Sequence, residues 1–342
     1  MVNVLLASPL EPELVARLSA VDPRLEITYR PDLLAEPRYP ADHHPPVQRS
    51  AAQAAEWAAL LAEAEVLLDV DGPSIANFPA RVPKLRWIQA SSSGIGEWVR
   101  RLGIVDSQIV VTNAAGLHSQ ALAEFVLFVM LYFARRWPDM VADQRAHHWE
   151  RCAIETLEGK TLGIVGLGNV GQMIAKLAQP FGVRVIGSRR SPSEQSSAET
   201  SGVSTVYGPE GLTTLLGESD FVVLIVPQTA ETIGLLGPAE LASMRPGAVL
   251  INIARGSVVD EPALIEALRS GHLGGAALDV VASEPLVADS PLWDMPNVII
   301  TPHSMSTATT ENERLTDLFA DNLRRYVNGE PLRNVIDKVR GY

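Results

Sequence analysis

Three titratable residues, Arg255, Glu284 and His303, stand at positions where they could do chemistry together. Each comes shortly after an apolar run that predicts a buried strand: Arg255 follows LINIA, Glu284 follows ALDVV, and His303 follows VIITP. The carboxyl ends of parallel strands meet at one edge of a sheet, where open α/β sheets bind their ligands. We therefore expect the three side chains to converge at one ligand-binding edge.

A hydride transfer between a 2-hydroxy acid and its keto acid would use such a set. Arginine offers a planar, permanently charged fork for the carboxylate and the carbonyl, and histidine is the natural acid or base near neutral pH. Glutamate can hold one imidazole nitrogen and stabilise the protonated ring. Taken singly, each residue is better explained by a structural role. Arg255 could be a surface charge, Glu284 a carboxylate in a turn, and His303 a buried histidine with its hydrogen bonds satisfied. Their convergence favours the catalytic interpretation.

A glycine-rich turn predicts where a cofactor would bind. The buried strand expected over Thr161–Val165 leads directly into a G-x-G-x-x-G pattern, which a helix over Asn169–Gln179 and a second strand over Val183–Gly187 should follow. In this βαβ context the glycines permit a tight turn and close approach to a pyrophosphate, which would lie at the helix N-terminus. The expected cofactor contacts are Gly166, Gly168, Asn169, Val170 and Gly171.

The residues after the second strand predict which dinucleotide is used. In NAD-specific members of this fold, an acidic residue here binds the ribose 2′-hydroxyl. This chain has Ser188, Arg189, Arg190 and Ser191 in that stretch, and Arg189 occupies the acidic position. A guanidinium can fork onto a 2′-phosphate, and the serine hydroxyls can add hydrogen bonds. We expect NADP(H) to be preferred and NAD(H) to be possible; the alternative is that both arginines are solvated charges.

A loop of small residues, Ser91–Gly96, follows the strand expected over Leu85–Ala90. Its backbone amides could cradle a carboxylate, because successive N–H groups form anion-binding concavities. A plain turn from strand to helix explains the same residues equally well. The local sequence leaves these two interpretations open.

Composition excludes several classes of partner. The 342 residues carry a formal net charge of -12, which argues against nucleic acid and anionic membranes as general partners. The apolar run Phe125–Ala134 is too short to span a bilayer, Cys152 is the single cysteine, and Met1–Ala7 lacks the features of a signal peptide. We expect a cytoplasmic location. His43 and His44 lie in a proline-rich segment, Pro31–Pro46, that we expect to be a surface arm. We expect both histidines to be solvated there and not to bind a metal ion.

Alternation of apolar strands with helical patterns predicts an α/β fold with two doubly wound parallel sheets. In the first half, the expected strands are Val2–Ser8, Leu25–Tyr29, Val66–Val70, Leu85–Ala90 and Ile109–Thr112. In the second half, they are Thr161–Val165, Val183–Gly187, Val203–Tyr207, Phe221–Val226, Ala248–Ile253, Ala276–Val281 and Val298–Thr301. Helices are expected over Glu11–Ala20, Ser50–Ala64, His118–Arg136, Glu261–Ser270 and Thr307–Val327.

The runs GIVGLGNVG, VPQTAET, LINIARGSVVDEPALIEAL, GAALDVVASEPL and NVIITPH, in this order and spacing, resemble the D-isomer-specific 2-hydroxyacid dehydrogenase family, most closely its glyoxylate/hydroxypyruvate reductases. The resemblance implies that Arg255, Glu284 and His303 are catalytic. It also implies that Ser93 and Gly94 offer backbone amides to the substrate carboxylate, and that Arg255 and His303 contact the substrate. The further cofactor contacts that it implies are Val226, Pro227, Thr232, Ile253, Ala254 and Asp279.

The same resemblance implies a Rossmann dinucleotide-binding domain, residues 117–303, inserted into a flavodoxin-like substrate-binding domain formed by residues 1–116 and 304–342. It implies a homodimer built on the inserted domain. The region His118–Trp149 is unusually rich in large apolar residues for a solvated connection, although the first domain could cover that surface instead. These residues are Phe125, Leu127, Phe128, Met130, Leu131, Tyr132, Phe133, Trp137 and Trp149.

Two positions depart from the family pattern: Gly96 stands where many members have Asp, and the arm Pro31–Pro46 is longer than usual. We expect a reductase that prefers NADPH and converts a small 2-keto acid of the glyoxylate or hydroxypyruvate class to the D-2-hydroxy acid. One alternative is a dinucleotide-sensing interaction protein resembling the corepressors of this fold. Another is oxidation of a different small acid; however, formate-oxidising relatives have Gln where Glu284 stands.

Overall fold

The computed structural model describes residues 1–190 and 202–341. The chain divides into two compact units, one formed by Met1–His118 with Thr307–Tyr342, and the other by Ser119–Ser306. Ser191, which the sequence analysis placed beside the cofactor phosphate, lies outside the described residues.

The first unit contains a parallel sheet of five strands in the order β2-β1-β3-β4-β5. The strands are β1 Val2–Leu6, β2 Leu25–Tyr29, β3 Val66–Leu68, β4 Trp87–Gln89 and β5 Val110–Thr112. This is the flavodoxin-like order of a doubly wound sheet. The helices of this unit are Pro12–Ser19, Ala51–Glu63, Phe78–Arg81, Gly96–Leu102 and Glu311–Val327.

The second unit contains a parallel sheet of seven strands in the order β12-β11-β10-β9-β6-β7-β8. The strands are β6 Thr161–Val165, β7 Arg184–Ser188, β8 Thr205–Tyr207, β9 Phe221–Leu224, β10 Val249–Asn252, β11 Gly275–Leu278 and β12 Val298–Ile300. Counted within the unit, the first six strands follow the Rossmann order 3-2-1-4-5-6. The described helices include Ser119–Ala134, Trp137–Arg145, Asn169–Ala178, Leu212–Glu218, Pro238–Ser243 and Glu261–Arg269. The predicted fold class is confirmed.

Each sheet is buried on both faces, as continuous apolar strands require. In the second unit, one core lies between the sheet and the helices Ser119–Ala134 and Asn169–Ala178. A second core covers the opposite face, with Leu215, Leu250 and Leu264 among its fully buried members. This packing fixes the strands whose carboxyl ends carry the candidate site.

The last helix of the first unit, Glu311–Val327, packs one apolar stripe against the sheet. Leu315, Phe319 and Leu323 are fully buried, and the Phe319 ring lies 5.3 Å from that of Trp87 on β4. The spacing of four residues places these side chains on one face of a helix. The first residue of the helix, Glu311, is consequently buried as well.

The proline-rich arm differs from the expectation in one respect. Its segment after the turn Pro31–Leu33 is irregular, as predicted, and His44 is exposed. His43, however, is buried, and its Nδ1 lies 2.8 Å from Ser8 Oγ. The prediction that both histidines are solvated is therefore wrong for His43. A local sequence contains no signal for a contact made across 35 positions.

The structure explains why position 96 is occupied by glycine, which the sequence alone could not show. It begins the helix Gly96–Leu102, and a Cβ atom at this position would lie 2.8 Å from Gly341 Cα. The aspartate that many family members carry would require the C-terminal segment to shift. In this chain, the close approach of the backbone at Gly341 favours glycine.

The region rich in apolar residues is partly core and partly surface. Phe125 and Met130 belong to a buried cluster of the second unit, whereas Phe128, Trp137 and Trp149 are 52%, 53% and 96% exposed. The predicted helix His118–Arg136 is present as Ser119–Ala134. Within residues 1–190 and 202–341, no helix is long and apolar enough to cross a membrane, and no group of three His, Cys, Asp or Glu side chains could hold a metal ion.

The burial of Glu311 makes the stability of the protein depend on pH. Burial raises the pKa of this carboxyl from 4.5 to about 7, so the folded protein binds its proton more tightly than the unfolded chain does. As the pH rises from the pKa of Glu311 in the unfolded chain towards its pKa in the folded protein, the free energy of unfolding should fall. The contribution of this one carboxyl to that fall is about 2–3 kcal/mol.

Glu311→Gln should remove this dependence, because an amide does not titrate. Denaturant unfolding at about pH 5 and at about pH 8 measures it: the wild-type protein should lose stability relative to the variant as pH rises. Glu313→Gln, two residues further along the same helix at an exposed position, is the matched control. Equal pH dependence of wild type and Glu311→Gln would contradict the assignment.

Candidate active site

The three predicted catalytic residues follow three neighbouring strands of the seven-stranded sheet. Arg255 follows β10, Glu284 follows β11, and His303 follows β12, and these strands pair in the order β12-β11-β10. All of them are parallel, so the three residues come after the carboxyl ends of the strands, at one edge of the sheet. Open α/β sheets bind ligands at this edge.

His303 and Glu284 are in direct contact. Nδ1 of His303 lies 2.8 Å from Glu284 Oε2, and the two side chains are 41% and 40% exposed. The contact occupies Nδ1, so Nε2 is the ring nitrogen that could exchange a proton with a substrate. The backbone of His303 is left-handed, with φ of 50°, which costs free energy for a residue other than glycine and is common where geometry serves a site.

Asp279 holds the segment that carries His303. Its Oδ1 accepts three hydrogen bonds: from Thr301 Oγ1 at 2.8 Å, from the Ser304 N–H at 2.9 Å and from the Met305 N–H at 3.2 Å. The Asp279 carbonyl oxygen also accepts from the His303 N–H at 2.9 Å. The family resemblance implied Asp279 only as a cofactor contact. Its anchoring role could not be predicted, because it depends on contacts across more than 20 positions.

The turn that carries Arg255 is fixed by Asn252 and Gly256. Asn252 Oδ1 accepts from the Ala254 N–H, and its Nδ2 donates to the Arg255 carbonyl, both at 3.1 Å. A Cβ atom on Gly256 would lie 1.9 Å from the Val281 carbonyl oxygen, so this position accepts only glycine. Sequence reasoning missed both residues, although the glycine directly after Arg255 was a visible signal for a close backbone contact.

The same contact brings the Arg255 and Glu284 loops together. The loop after β10 touches the backbone of Val281, whose N–H lies 3.4 Å from Glu284 Oε1. The next residue, Ala282, donates its N–H to Glu261 Oε2 at 2.9 Å. Arg255 Nη1 donates to the Ala254 carbonyl at 2.7 Å. The loops that carry the three predicted catalytic residues are therefore joined by hydrogen bonds or backbone contact within one unit.

The glycine-rich turn can accept a dinucleotide phosphate. Gly166 has φ of 112°, and a Cβ on Gly171 would lie 2.3 Å from the Gly166 carbonyl oxygen. Around Gly168, in contrast, a Cβ would meet no described atom within 4 Å. Among the residues that the structure describes, no side chain caps the helix Asn169–Ala178, so its first backbone N–H groups suit an anion. Asn169 and Val170 are the first two residues of that helix.

The predicted ribose-side residues follow the neighbouring strand. Ser188 ends β7, and its carbonyl accepts from the N–H groups of Gly166 and Leu167. The Arg189 N–H donates to the Tyr207 carbonyl at 3.0 Å, while its Nε is buried without a hydrogen-bond partner among the described residues. Arg190 Nη1 lies 3.4 Å from Glu231 Oε2. A buried N–H donor that lacks an acceptor is suited to a hydrogen bond with a phosphate oxygen.

The remaining predicted cofactor contacts lie at the same edge of the sheet. Val226 and Pro227 follow β9, and Thr232 Oγ1 donates to the Pro227 carbonyl at 2.7 Å, which closes the turn between them. Ile253 and Ala254 follow β10 and are buried. The strands β9, β10 and β6 are neighbours, so these turns adjoin the glycine-rich turn after β6.

The predicted substrate loop belongs to the first unit. The Ser93 carbonyl accepts from Asn113 Nδ2 at 2.8 Å, and Ser93 Oγ donates to the Ala114 carbonyl at 3.1 Å. These bonds hold the loop at the carboxyl end of β4, beside that of β5. Gly94 follows directly and is exposed, whereas Ser91 and Ile95 of the same loop are buried.

Comparison with known proteins agrees with this architecture. The sequence signature of the NAD binding domain of D-isomer specific 2-hydroxyacid dehydrogenases matches residues 127–304. A glyoxylate reductase of Thermococcus gammatolerans is 38% identical over 239 residues, which are 67% of this chain and 70% of that protein.

Two solved structures are similar over nearly their whole length. A D-isomer specific 2-hydroxyacid dehydrogenase of Xanthobacter autotrophicus, in complex with NADPH and MES, has a TM-score of 0.79 at 34% identity over 99% of both chains. An NADPH-dependent glyoxylate/hydroxypyruvate reductase of Sinorhizobium meliloti, in complex with NADP and sulfate, has a TM-score of 0.80 at 27% identity over 100% of both chains. The family predicted from the motifs is confirmed. The chain belongs to the D-isomer-specific 2-hydroxyacid dehydrogenases, a family of NAD(P)-dependent oxidoreductases.

Proposed function

We propose that the protein uses NADPH to reduce a small 2-keto acid of the glyoxylate or hydroxypyruvate class to the D-2-hydroxy acid. The observation that carries this proposal is the 2.8 Å contact between His303 Nδ1 and Glu284 Oε2, because it pairs a proton carrier with the carboxylate that orients it. The names of the similar reductases support the substrate class.

In the proposed reaction, Arg255 binds the substrate carboxylate and carbonyl, and the backbone amides of Ser93 and Gly94 bind the carboxylate. A dinucleotide bound at the glycine-rich turn would supply the hydride for the keto carbon. His303 in its protonated form donates the proton from Nε2 to the carbonyl oxygen as negative charge develops there. Glu284 fixes the ring orientation through Nδ1 and stabilises the positive charge on the ring. Asp279 keeps the His303 segment in place.

The two units divide these tasks. We assign substrate binding to residues 1–116 and 304–342, and dinucleotide binding to residues 117–303. The flavodoxin-like and Rossmann strand orders of the two sheets support this division. The glycine-rich turn lies entirely in the second unit, as do Arg255, Glu284 and His303.

We expect His303→Asn to lower kcat for the best keto acid by about 10²-fold or more, because it removes the proton donor. Asparagine tolerates the left-handed backbone, so the variant should fold. Its NADPH affinity, measured by fluorescence titration, should be unchanged, since the side chain acts on the substrate oxygen. His147→Asn is the matched control, because His147 is exposed and has a left-handed backbone with φ of 53°. A His303 variant with nearly normal turnover would exclude this role.

The preference for NADPH rests on Arg189. Its buried Nε lacks a partner among the described residues, Ser188 precedes it, and two similar structures bind NADPH or NADP. Hydrogen bonds to charged groups contribute about 1.5–3 kcal/mol each, so one or two of them predict roughly 10- to 10³-fold discrimination.

Arg189→Asp should reverse the preference for NADPH over NADH, because it removes the guanidinium group and adds a carboxylate that repels the 2′-phosphate. The ratio of kcat/KM for NADPH to that for NADH measures this change. Arg184→Asp is the control, since Arg184 begins the same strand and pairs with Glu218 at an exposed position. The assignment is wrong if the wild-type ratio is one or less, or if Arg189→Asp leaves it unchanged.

We also propose a homodimer built on the second unit. Phe128, Trp137, Trp149 and Ile154 are exposed within one stretch of 27 residues on this unit, and exposed apolar surface of this kind is typical of an interface. Aromatic side chains contribute most of the binding free energy at such surfaces.

Light scattering at micromolar concentration should therefore give twice the chain mass of 36.9 kDa for the wild type. Phe128→Glu should shift the mass towards the monomer, because it buries a charge in the interface. Phe181→Glu, which changes another exposed phenylalanine of the same unit outside this stretch, should leave the dimer intact. A monomeric wild type would rule out the interface.

A further inference from the structure

Residues 333–341 form a strap along β5, the last strand in the order of the five-stranded sheet. Val335 makes an antiparallel bridge with Thr112, and the Ile336 N–H donates to the Val111 carbonyl at 3.0 Å. An edge strand otherwise presents unpaired backbone groups to solvent. The strap therefore pairs with part of an edge that the sheet itself leaves open.

Asn334 links the strap to the segment that follows β5. Its Nδ2 donates to the carbonyls of Asn113 and Ala115, at 3.2 and 2.9 Å. The Asn113 N–H donates in turn to the Asn334 carbonyl at 3.1 Å. The backbone of Asn334 is left-handed, with φ of 57°, a conformation that asparagine adopts more readily than most residues. One residue of the strap thus fixes the segment after β5 through three hydrogen bonds.

The segment after β5 holds the substrate loop, Ser91–Gly96. Asn113 Nδ2 donates to the Ser93 carbonyl at 2.8 Å, and Ser93 Oγ donates to the Ala114 carbonyl at 3.1 Å. The Ala114 N–H also donates to the Ser92 carbonyl at 3.2 Å. The middle of the substrate loop is therefore bonded to a segment whose position the strap fixes.

The strap also meets the end of the substrate loop directly. A Cβ atom on Gly96 would lie 2.8 Å from Gly341 Cα, and a Cβ atom on Gly341 would lie 2.9 Å from Gly96 Cα. Gly341 is buried and has φ of 83°. Two backbones that approach this closely cannot move independently, so the strap braces the loop at its end as well as at its middle.

Lys338 fixes the part of the strap that lies between these two contacts. Its Nζ lies 3.0, 2.6 and 3.0 Å from the carbonyl oxygens of Ile104, Ser107 and Ile109, respectively. These carbonyls belong to the connection between the helix Gly96–Leu102 and β5. An ammonium group has three N–H donors, so it can donate to all three carbonyls at once. Lys338 thus ties the strap to the connection that follows this helix.

We propose that the strap positions the substrate loop for binding the carboxylate of the keto acid, with Asn334 and Lys338 as positioning residues. This inference rests on the function proposed above, in which the amides of Ser93 and Gly94 bind that carboxylate. The positioning residues act through the backbone segments that they hold. A shift of the loop moves both amides relative to the carboxylate, and a displacement of about 1 Å can cost about 10²-fold in rate.

This role has a kinetic signature that a purely structural role lacks. The loop binds the carboxylate in the same way before and during hydride transfer, and loss of such uniform binding raises KM while kcat stays nearly unchanged. A strap that only stabilised the unit would behave differently. Its variants would have a lower free energy of unfolding, and those that fold would keep the KM of the wild type.

Lys338→Met removes the ammonium group and keeps a long, flexible side chain. For glyoxylate or hydroxypyruvate, whichever is reduced faster, we expect KM to rise by about tenfold with kcat within about twofold of the wild type. NADPH affinity, measured by fluorescence titration, should be unchanged, because the glycine-rich turn lies in the second unit. Arg340→Met is the matched control, since Arg340 is an exposed cation of the same strap.

Asn334→Asp tests the second positioning residue. Aspartate has the size of asparagine and tolerates the left-handed backbone, but it places an acceptor against two carbonyl oxygens. The KM for the same keto acid should again rise by about tenfold. Asn77→Asp is the control, because Asn77 is exposed and has φ of 54°. Asn334→Gly removes the donors and suits the backbone, so it serves if Asn334→Asp does not fold.

Denaturant unfolding of each variant accompanies the kinetics. If the variants lose stability and keep the wild-type KM, the strap only stabilises the unit and the positioning role is wrong, whereas the reductase assignment stands. The positioning role is also overturned if none of the variants folds, because the strap then serves the fold. If the wild type reduces neither keto acid, the proposed function is wrong and the positioning role fails with it.

Discussion

The candidate site depends on one carboxylate, Asp279, which ties the end of β12 to the end of β11. Its Oδ1 accepts two backbone N–H groups and one hydroxyl from the segment Thr301–Met305. This network holds His303 in a left-handed conformation that the residue would not adopt by preference. His303 can then meet Glu284 at 2.8 Å, since both residues project from neighbouring loops of a rigid sheet. In its proposed role as proton carrier, a histidine held in this way needs little reorganisation when a substrate binds.

A second constraint is close backbone approach, which glycine alone permits. Gly171 packs on the Gly166 carbonyl and so sets the helix whose N-terminus faces the expected pyrophosphate. Gly256 packs on the Val281 carbonyl and so joins the Arg255 loop to the Glu284 loop. The first contact shapes the proposed cofactor site, and the second joins two loops of the proposed catalytic set. Both lie at the carboxyl edge of the seven-stranded sheet, so the hydride donor and the proton donor are expected at the same edge.

Sequence predicted the parts of this site that depend on local pattern. The alternation of apolar strands with helices is a short-range signal, and so is the glycine spacing after β6; both sheets and the glycine-rich turn were predicted from them. The strand ends then placed Arg255, Glu284 and His303 at one edge. The anchoring by Asp279 and the burial of His43 could not be predicted, because each depends on a partner that only the folded chain brings near. Propensity and periodicity contain no information about such contacts.

The most direct test of this account is an assay of the wild-type protein with NADPH and a panel of 2-keto acids, with chiral analysis of the product. The account predicts that NADPH absorbance falls with at least one small 2-keto acid and that the product is the D-2-hydroxy acid. NADPH oxidation that yields the L isomer would contradict the stereochemistry proposed for the reduction. Tight NADPH binding without reduction of any keto acid would contradict the catalytic role assigned to His303 and Glu284.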